Sequence, residues 1–233
     1  MKKIVFVFFT LYSIGLTFAQ VGRDIEEAFD NTFGGIEWFR ENFSLDITHN
    51  SLVGETSGVK QSWTSIAYNF GVMMNWDIIY RRTTKFTIGY GLRLGNNIFR
   101  NDGSFNFSDS ISATRLQIYN GEAARKSYKI VMRFVELPIE FRWRSYVSGL
   151  GITRFTLGGV LGFRTRFFEK SRFENTTFEQ PNFPDVNRVR FGVFGRIGLR
   201  RIGLFAGYYF TPVFQNPSSS KLNVLSIGLN FSI

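Results

Sequence analysis

The chain has 233 residues, of which 18% are aromatic and 44% hydrophobic, and it carries a formal net charge of +10. The absence of Cys excludes disulfides, thiolate metal sites and Cys nucleophiles, and the single His, His49, excludes a centre built from several histidines. The aromatic content argues against disorder, and no P-loop, nucleophile elbow or dinucleotide fingerprint is present, so we expect a folded protein without catalytic activity or cofactor.

The first residues, 1–19, have the pattern of a cleaved secretory signal peptide. Lys2 and Lys3 precede an uncharged apolar stretch that ends in Thr17-Phe18-Ala19. This stretch is shorter than the roughly 20 residues of a membrane-spanning helix, so a signal is favoured over an anchor, with cleavage after Ala19. Without the two lysines, 26 basic residues against 18 acidic ones leave a net charge of +8. The mature chain is expected outside the cytoplasm, where nucleic acid is not an expected partner.

Residues 20–35 are predicted to be a short periplasmic segment, with one helical turn over Asp24–Phe33. From residue 36 to residue 233 the apolar residues recur with a period of two, which is typical of strands with one apolar face. Eight strands are predicted, at residues 39–48, 65–78, 86–98, 135–144, 154–167, 188–200, 202–210 and 223–233.

Each predicted strand sets Phe, Tyr, Trp, Leu, Ile or Val on one face against Arg, Glu, Gly, Asn or Ser on the other. The pattern is clearest in 65–78, where every even position from Ile66 to Ile78 is apolar. In the strand 154–167, Phe167 is predicted on the outward apolar face, and Arg164 and Arg166 on the opposite face. In the strand 202–210 the predicted outward residues are Ile202, Leu204, Ala206, Tyr208 and Phe210.

The connections alternate between long and short, and the turns expected in the periplasm are the short ones. This pattern predicts an all-β fold, an eight-stranded antiparallel up-and-down transmembrane β-barrel in the cell outer membrane. A secreted soluble β-sandwich also has alternating strands and is the alternative. The aromatic-rich faces favour the barrel, which must close because lipid offers no partner for an open strand edge.

An eight-stranded barrel is filled by its own side chains, so a diffusion pore is not expected. The predicted register puts nine charged residues in the lumen, where buried charges need partners. The simpler interpretation is a structural network of arginines and carboxylates, and the alternative is a path for a small anion or a proton. The nine residues are Asp46, Asp77, Arg93, Glu136, Glu140, Arg142, Arg164, Arg190 and Arg196.

Near the third long connection, Arg166, Arg172 and Arg188 are predicted to form a rim patch together with the lumen residues Arg164 and Arg190. Guanidinium groups there would bind lipid phosphates or a partner protein, and ordinary solubility or loop bracing is the alternative. The predicted interfacial anchors are Trp38, Trp76, Trp143 and Tyr146.

His49-Asn50-Ser51 is the candidate for a hydrolytic site. Some eight-stranded barrels are lipid A acyl-modifying enzymes that use His with Ser and a carboxylate, and Asp46 or Asp102 would be the carboxylate here. A loop histidine without catalytic function is the favoured interpretation.

The stretch Val135-Glu136-Leu137-Pro138-Ile139-Glu140-Phe141-Arg142 resembles a pattern of the Bacteroidota outer-membrane β-barrel family, a porin-family group that includes PorT-like proteins. The Gly-rich strands and the ending Leu225-Ser226-Ile227-Gly228-Leu229-Asn230-Phe231 are similar too. This resemblance implies an accessory role in type IX protein secretion or gliding.

Together these observations predict a non-enzymatic integral outer-membrane protein with outer-membrane lipid and lipopolysaccharide as its surroundings. The barrel-assembly machinery is its expected partner during insertion, and type IX secretion components are the partners that the resemblance implies. A lipid A-modifying or lipid-binding barrel that uses the His49 region is the second hypothesis, and the soluble sandwich is the third.

Overall fold

The computed structural model describes residues 42–80, 84–119, 127–147, 151–173, 177–181 and 183–232. The predicted signal peptide, the segment 20–35 and Trp38 lie outside these residues. The described residues form eleven strands: β1 (Phe43–Gly54), β2 (Ile66–Tyr80), β3 (Thr84–Phe99), β4 (Gly103–Ser108), β5 (Ala113–Ile118), β6 (Ser127–Val147), β7 (Gly151–Arg172), β8 (Thr177–Pro181), β9 (Val189–Leu199), β10 (Ile202–Tyr209) and β11 (Leu222–Ser232).

Eight of these strands close into an antiparallel ring. Each of β1, β2, β3, β6, β7, β9, β10 and β11 pairs with the next in this order, and β11 returns to β1. The remaining three lie outside the ring: β4 and β5 form a hairpin, and β8 pairs with the end of β7. The predicted eight-stranded up-and-down barrel is therefore confirmed.

The alternation of side chains follows from the pleat of each strand, which turns successive residues to opposite faces. The outward positions of β6 from Val135 to Trp143 are all apolar, whereas Glu136, Glu140 and Arg142 between them are buried in the lumen. All eight ring strands contribute exposed apolar side chains to the outer surface, here called the apolar belt. It includes Leu45, Ile47, Tyr68, Phe70, Val72, Met74, Trp76, Tyr90, Leu92, Leu94, Leu137, Ile139, Phe141, Trp143, Phe155, Leu157, Leu161, Phe163, Val189, Phe191, Val193, Ile197, Leu204 and Ile227.

The two ends of the barrel differ in their connections. One end, here called the short-turn end, has the connections 81–83, 148–150 and 200–201. The opposite loop end has the connections 55–65, 100–126, 173–188 and 210–221. Among the described residues, no helix has the length and hydropathy of a membrane span.

The loop end is closed by a folded cap with an aromatic core. Phe105 of the β4–β5 hairpin packs edge-on against Phe183 and Phe214, with ring centroids 5.9 and 5.1 Å away, and Phe183 also meets Phe167 of β7. This core continues into the upper lumen as one buried cluster that includes Phe99 and Phe194. The long connections thus form a small apolar core of their own.

A buried carboxylate connects three loops of the cap. Asp185 accepts hydrogen bonds from the backbone nitrogen of Thr114, from its hydroxyl and from the Ser219 hydroxyl. The Ser220 hydroxyl accepts from the Leu116 nitrogen, and the Ser220 nitrogen donates to the Thr114 carbonyl. These contacts satisfy the β5 edge, which would otherwise leave buried backbone groups unpaired.

Two predicted strand details are wrong. The first strand ends at Gly54 rather than at residue 48, because the alternation continues past His49 and β1 pairs with β11 through Gly54. The predicted residues 39–41 lie outside the described residues. Phe167 is buried rather than outward, because the register shifts between Arg133 and Phe134 on β6 and leaves Thr165 of β7 outside the pairing. Ile202 lies on the same face of β10 as the exposed Leu204, as predicted, although it is buried.

Candidate functional site

The centre of the lumen is Glu136, which is fully buried. One of its oxygens accepts from Arg93 Nε at 2.6 Å, and the other accepts from Arg190 Nε at 2.9 Å and from the Tyr209 hydroxyl at 3.3 Å. Arg93 also lies 3.6 Å from a carboxylate oxygen of Asp46 and donates to the Tyr209 hydroxyl. Each of these charged groups therefore meets a group of opposite charge, as burial requires.

The second half of the network is organised by Arg196 of β9. Its guanidinium donates to both carboxylate oxygens of Asp46, at 3.1 and 2.8 Å, and to Glu140 at 2.7 Å. The other Glu140 oxygen accepts from Arg142 Nε at 2.8 Å. Asn230 of β11, next to β1, donates to Asp46 at 2.7 Å. Residues from β1, β6, β9 and β11 are thus joined across the lumen.

Aromatic rings shield the guanidinium groups on the loop-end side of the network. The Arg190 guanidinium lies 3.4 Å from the Phe134 ring centroid and 3.9 Å from that of Tyr209. Arg93 and Arg196 lie 4.9 and 4.8 Å from the Phe194 ring. Such cation–π contacts add to the ion pairs where water is excluded.

A glycine on β7 makes room for the central ion pair. A Cβ at Gly162 would lie 3.0 Å from Arg190 Cγ and 3.1 Å from Glu136 Cγ. Because Gly162 is directly opposite Glu136, its missing side chain lets two long charged side chains share one level of a narrow lumen.

Seven of the nine predicted lumen charges meet in this one buried network, and two do not. Asp77 lies near the short-turn end, where Lys85 Nζ is 2.9 Å from it and Thr87 donates to it. Arg164 faces inward above the network and donates to the Val186 carbonyl at 3.1 Å. The seven are Asp46, Arg93, Glu136, Glu140, Arg142, Arg190 and Arg196.

The sequence reasoning missed the neutral members of the network. Tyr209, Asn230 and Asn75 contact Glu136, Asp46 and Arg142 respectively. The period-two pattern puts all three on the lumen-facing side of their strands, but a neutral side chain does not require a partner of opposite charge, so its place in the network does not follow from the sequence.

Below the network, the short-turn mouth of the lumen is basic. A narrow cleft there is lined by Arg142, Arg144, Arg154 and Arg196. Hydroxyl and amide groups from Thr156, Asn230 and Ser232 also line it. Donors of this kind hold anions, so this mouth is the polar end of the barrel interior.

The predicted rim patch is divided by the register shift. Arg166 points outward, donates to Glu179 of β8 at 3.3 Å and lies 4.8 Å from the Phe168 ring. Arg172 is exposed at the end of β7, and Arg188 is exposed just before β9. The three residues lie on the loop end, but Arg164 is on the lumen side and Arg190 belongs to the buried network.

His49 lies on the outward face of β1, and its exposed ring contacts a serine. Its Nε2 is 3.2 Å from the Ser51 hydroxyl, and its Nδ1 is 3.0 Å from the Trp63 carbonyl. Neither predicted carboxylate orients it: Asp46 is in the lumen network, and Asp102 accepts from the Lys60 nitrogen. The described residues include no group of three metal-ligating side chains.

Two of the predicted anchors lie on the outward surface near the short-turn end. Trp76 is 70% exposed and Trp143 is 47% exposed. The side chain of Tyr146 lies outside the described residues, as does Trp38. The exposed indoles have the position expected of interfacial anchors at one edge of the apolar belt.

The chain is similar in structure to proteins that include Ail, the attachment invasion locus protein of Yersinia pestis, with a TM-score of 0.31 and 9% sequence identity, over 82% of this chain and 96% of that one. The sequence matches no protein-family model and no curated relative. The barrel fold therefore rests on the strand pairing itself, and the resemblance to PorT-like proteins stays a prediction.

Proposed function

We propose that the protein is a non-enzymatic integral outer-membrane barrel that acts through the groups at its two ends rather than as a channel. The apolar belt carries this proposal. Its side chains are exposed on all eight ring strands, and several, such as Trp76, Ile197 and Leu204, are at least 60% exposed. A continuous apolar surface of this extent requires a covering, and a β-barrel with charges inside and apolar groups outside suits lipid.

The filled interior supports a role other than diffusion transport. Arg93 and Glu136 are fully buried in the middle of the lumen, and the aromatic cluster around Phe105 occupies the loop end. A solute would have to break ion pairs and aromatic contacts to pass. The surfaces open to partners are therefore the folded cap at one end and the basic cleft at the other.

An accessory role in type IX secretion is the finer form of the proposal. The resemblance at residues 135–142 supports it, and in the structure Glu136 and Glu140 of this stretch are the carboxylates that tie β6 to the lumen arginines. Leu137 and Ile139 of the same stretch contribute to the apolar belt. These residues of the resemblance thus belong to the lumen network and the apolar belt, and the secretion role needs its own test.

The membrane assignment is tested by fractionation and heat-modifiability. After alkaline carbonate washing of isolated membranes, we expect the protein in the pellet and a gel band that shifts on boiling. Protein in the soluble fraction, without a shift, would overturn the assignment in favour of a soluble sandwich.

The secretion role is tested by deletion of the gene. Surface proteins that rely on type IX secretion should be lost from the deletion strain and restored by complementation. Normal secretion in the deletion strain would remove this role.

One observation favours a second candidate, a lipid-modifying site at the outer surface. If His49 Nδ1 donates to the Trp63 carbonyl, Nε2 is left to accept the Ser51 hydroxyl proton, which is the tautomer of a general base. Both side chains are on the outward face of β1. The lipid A mass profile of cells that carry His49→Ala or Ser51→Ala should then differ from the parent profile. An unchanged profile for both variants, with normal protein level, would dismiss this site.

A further inference from the structure

Above the apolar belt, the outward face of the β6–β7–β8 sheet is strongly basic. Five side chains form this basic face, and among the described residues one carboxylate, Glu179, has ion pairs with it, to Arg166 at 3.3 Å and to Lys170 at 3.9 Å. Five positive charges therefore face one negative charge. The basic face consists of Lys129, Arg133, Arg166, Lys170 and Arg172.

The register shift in β6–β7 creates this surface. Without it, Arg164 and Arg166 would share the lumen side of β7. Because Thr165 is left out of the pairing, Arg166 lies directly opposite Arg133, and both are exposed on the outer face. Bulges of this kind change the direction of a side chain, and here the result is two arginines at directly opposed, exposed positions.

A second like-charged pair repeats this arrangement one step higher. Lys129 is directly opposite Lys170 on the same face. Like charges in directly opposed positions destabilise an antiparallel pair. The β6–β7 hairpin carries two such pairs. Glu179 offsets part of the charge of Arg166 and Lys170, and a further anion over Arg133 and Lys129 would offset the rest.

We propose that the basic face binds the phosphate groups of an outer-leaflet lipid, a phosphorylated glycolipid of the lipid A type. The inference rests on the proposed membrane location. The side chains immediately below on the same strands are Val135, Leu137 and Phe163, which belong to the lipid-facing surface. Arg133 is two residues above Val135, about 7 Å along the strand, and the headgroup layer begins within that distance of the hydrocarbon.

The chemistry of the face fits phosphate better than a carboxylate-bearing protein. Each guanidinium group offers paired N–H donors that match phosphate oxygens, and the lysines above add charge without fixed geometry. The face is also continuous with the lipid surface, so a lipid already held against Phe163 presents its headgroup to Arg133 and Arg166 without further ordering.

The test is a titration of the full-length mature protein in non-ionic detergent with bis-phosphorylated lipid A, with occupancy measured by native mass spectrometry. The quadruple variant Lys129→Gln, Arg133→Gln, Arg166→Gln and Lys170→Gln should bind at least about tenfold more weakly. The matched control removes two lysines and two arginines that are exposed elsewhere on the loop end. It is Lys60→Gln, Arg100→Gln, Arg115→Gln and Lys221→Gln, and it should bind as the parent does.

A single variant gives the same test if the quadruple variant does not fold. Arg133→Gln should weaken lipid A binding about fivefold. In detergent without lipid A, it should leave the heat-modifiability midpoint unchanged or raise it, because it relieves a like-charged pair. A bracing role for Arg133 would instead lower that midpoint and leave binding unchanged.

Each remaining outcome decides the inference. Equal lipid A binding by the parent and the quadruple variant, or equal losses in the quadruple and control variants, would overturn it. Complete competition by inorganic phosphate would show a site for the free anion and would also overturn it. If the parent protein is soluble after the carbonate wash, the proposed function fails and the inference with it. If the parent is in the membrane and the variants bind alike, the inference alone fails.

Discussion

The lower lumen and the loop-end cap are both buried, yet they are built in opposite ways. Around Glu136 and Arg196 the interior is held by ion pairs, and most apolar side chains of the same strands point outward. In the cap, Phe105, Phe183 and Phe214 form the interior, and charged side chains such as Arg115 and Lys221 point outward.

With the proposed membrane location, this difference follows because one chain meets two solvents. In lipid, apolar groups gain nothing by turning inward, so the lumen can hold the charges. In water, above the belt, the hydrophobic effect again favours an apolar interior. The change occurs along continuous strands, since β6 and β7 run from the short-turn end through the belt and into the cap.

The largest effect is expected for the centre of the lumen network. Glu136→Leu leaves the buried Arg93 and Arg190 guanidinium groups without their shared carboxylate, which should cost about 3–5 kcal/mol of unfolding free energy. Urea unfolding of the refolded protein in lipid vesicles measures this cost. Leu137→Ala, at the neighbouring outward position, is the control and should cost much less. Similar costs for the two variants would mean that the network does not hold the barrel together.

The cap should respond to a cavity rather than to a lost charge. Phe105→Ala removes a ring that contacts Phe183 and Phe214 and should destabilise the cap by about 3 kcal/mol. Hydrogen exchange should increase in β4 and β5 while the heat-modifiability midpoint of the barrel stays unchanged. Ile111→Ala, at the exposed hairpin tip, is the control. Equal exchange increases in β10 would show that cap and barrel unfold as one unit.

The sequence predicts the ring of eight strands well because one rule applies there. A period of two, with apolar side chains outward, correctly predicts that Glu136, Arg93 and Arg196 face the lumen and that the barrel strands follow one another around the ring. The same rule fails above the apolar belt. Phe167 was predicted outward and Arg166 inward, and a register shift reverses both positions. No Gly or Pro lies at the shift to indicate it in the sequence. The β4–β5 hairpin was also missed, because it lies in a polar connection above the apolar belt, where the rule of outward apolar side chains does not apply.

The polar contacts of the cap should contribute less than its aromatic core. Asp185→Asn replaces one acceptor oxygen by an amide donor that faces the Thr114 and Ser219 donors, which should cost about 1–3 kcal/mol. Limited proteolysis of the cap is the measurement, and the cleavage rate should rise at the connection 210–221. Asp109→Asn, on the exposed hairpin, should leave the rate unchanged. A rate increase as large as that of Phe105→Ala would mean that the hydrogen bonds, and not the rings, determine cap stability.

The smallest effect is expected for the ion pair at the short-turn end. This pair shows how much of an ion pair's strength depends on burial, because it has the same charges as the lumen pairs but is exposed. Lys85 and Asp77 are 2.9 Å apart, as close as the lumen pairs, but their side chains are 29% and 40% exposed. Water screens such a pair, so Lys85→Met should cost no more than about 1 kcal/mol, and the cost should shrink further at high salt. The Glu136→Leu cost should be insensitive to salt, because salt does not reach the lumen. Unfolding of both variants at low and high salt compares them directly. If Lys85→Met costs as much as Glu136→Leu, or if both costs respond to salt alike, then the exclusion of water from the lumen is not the source of the network's strength.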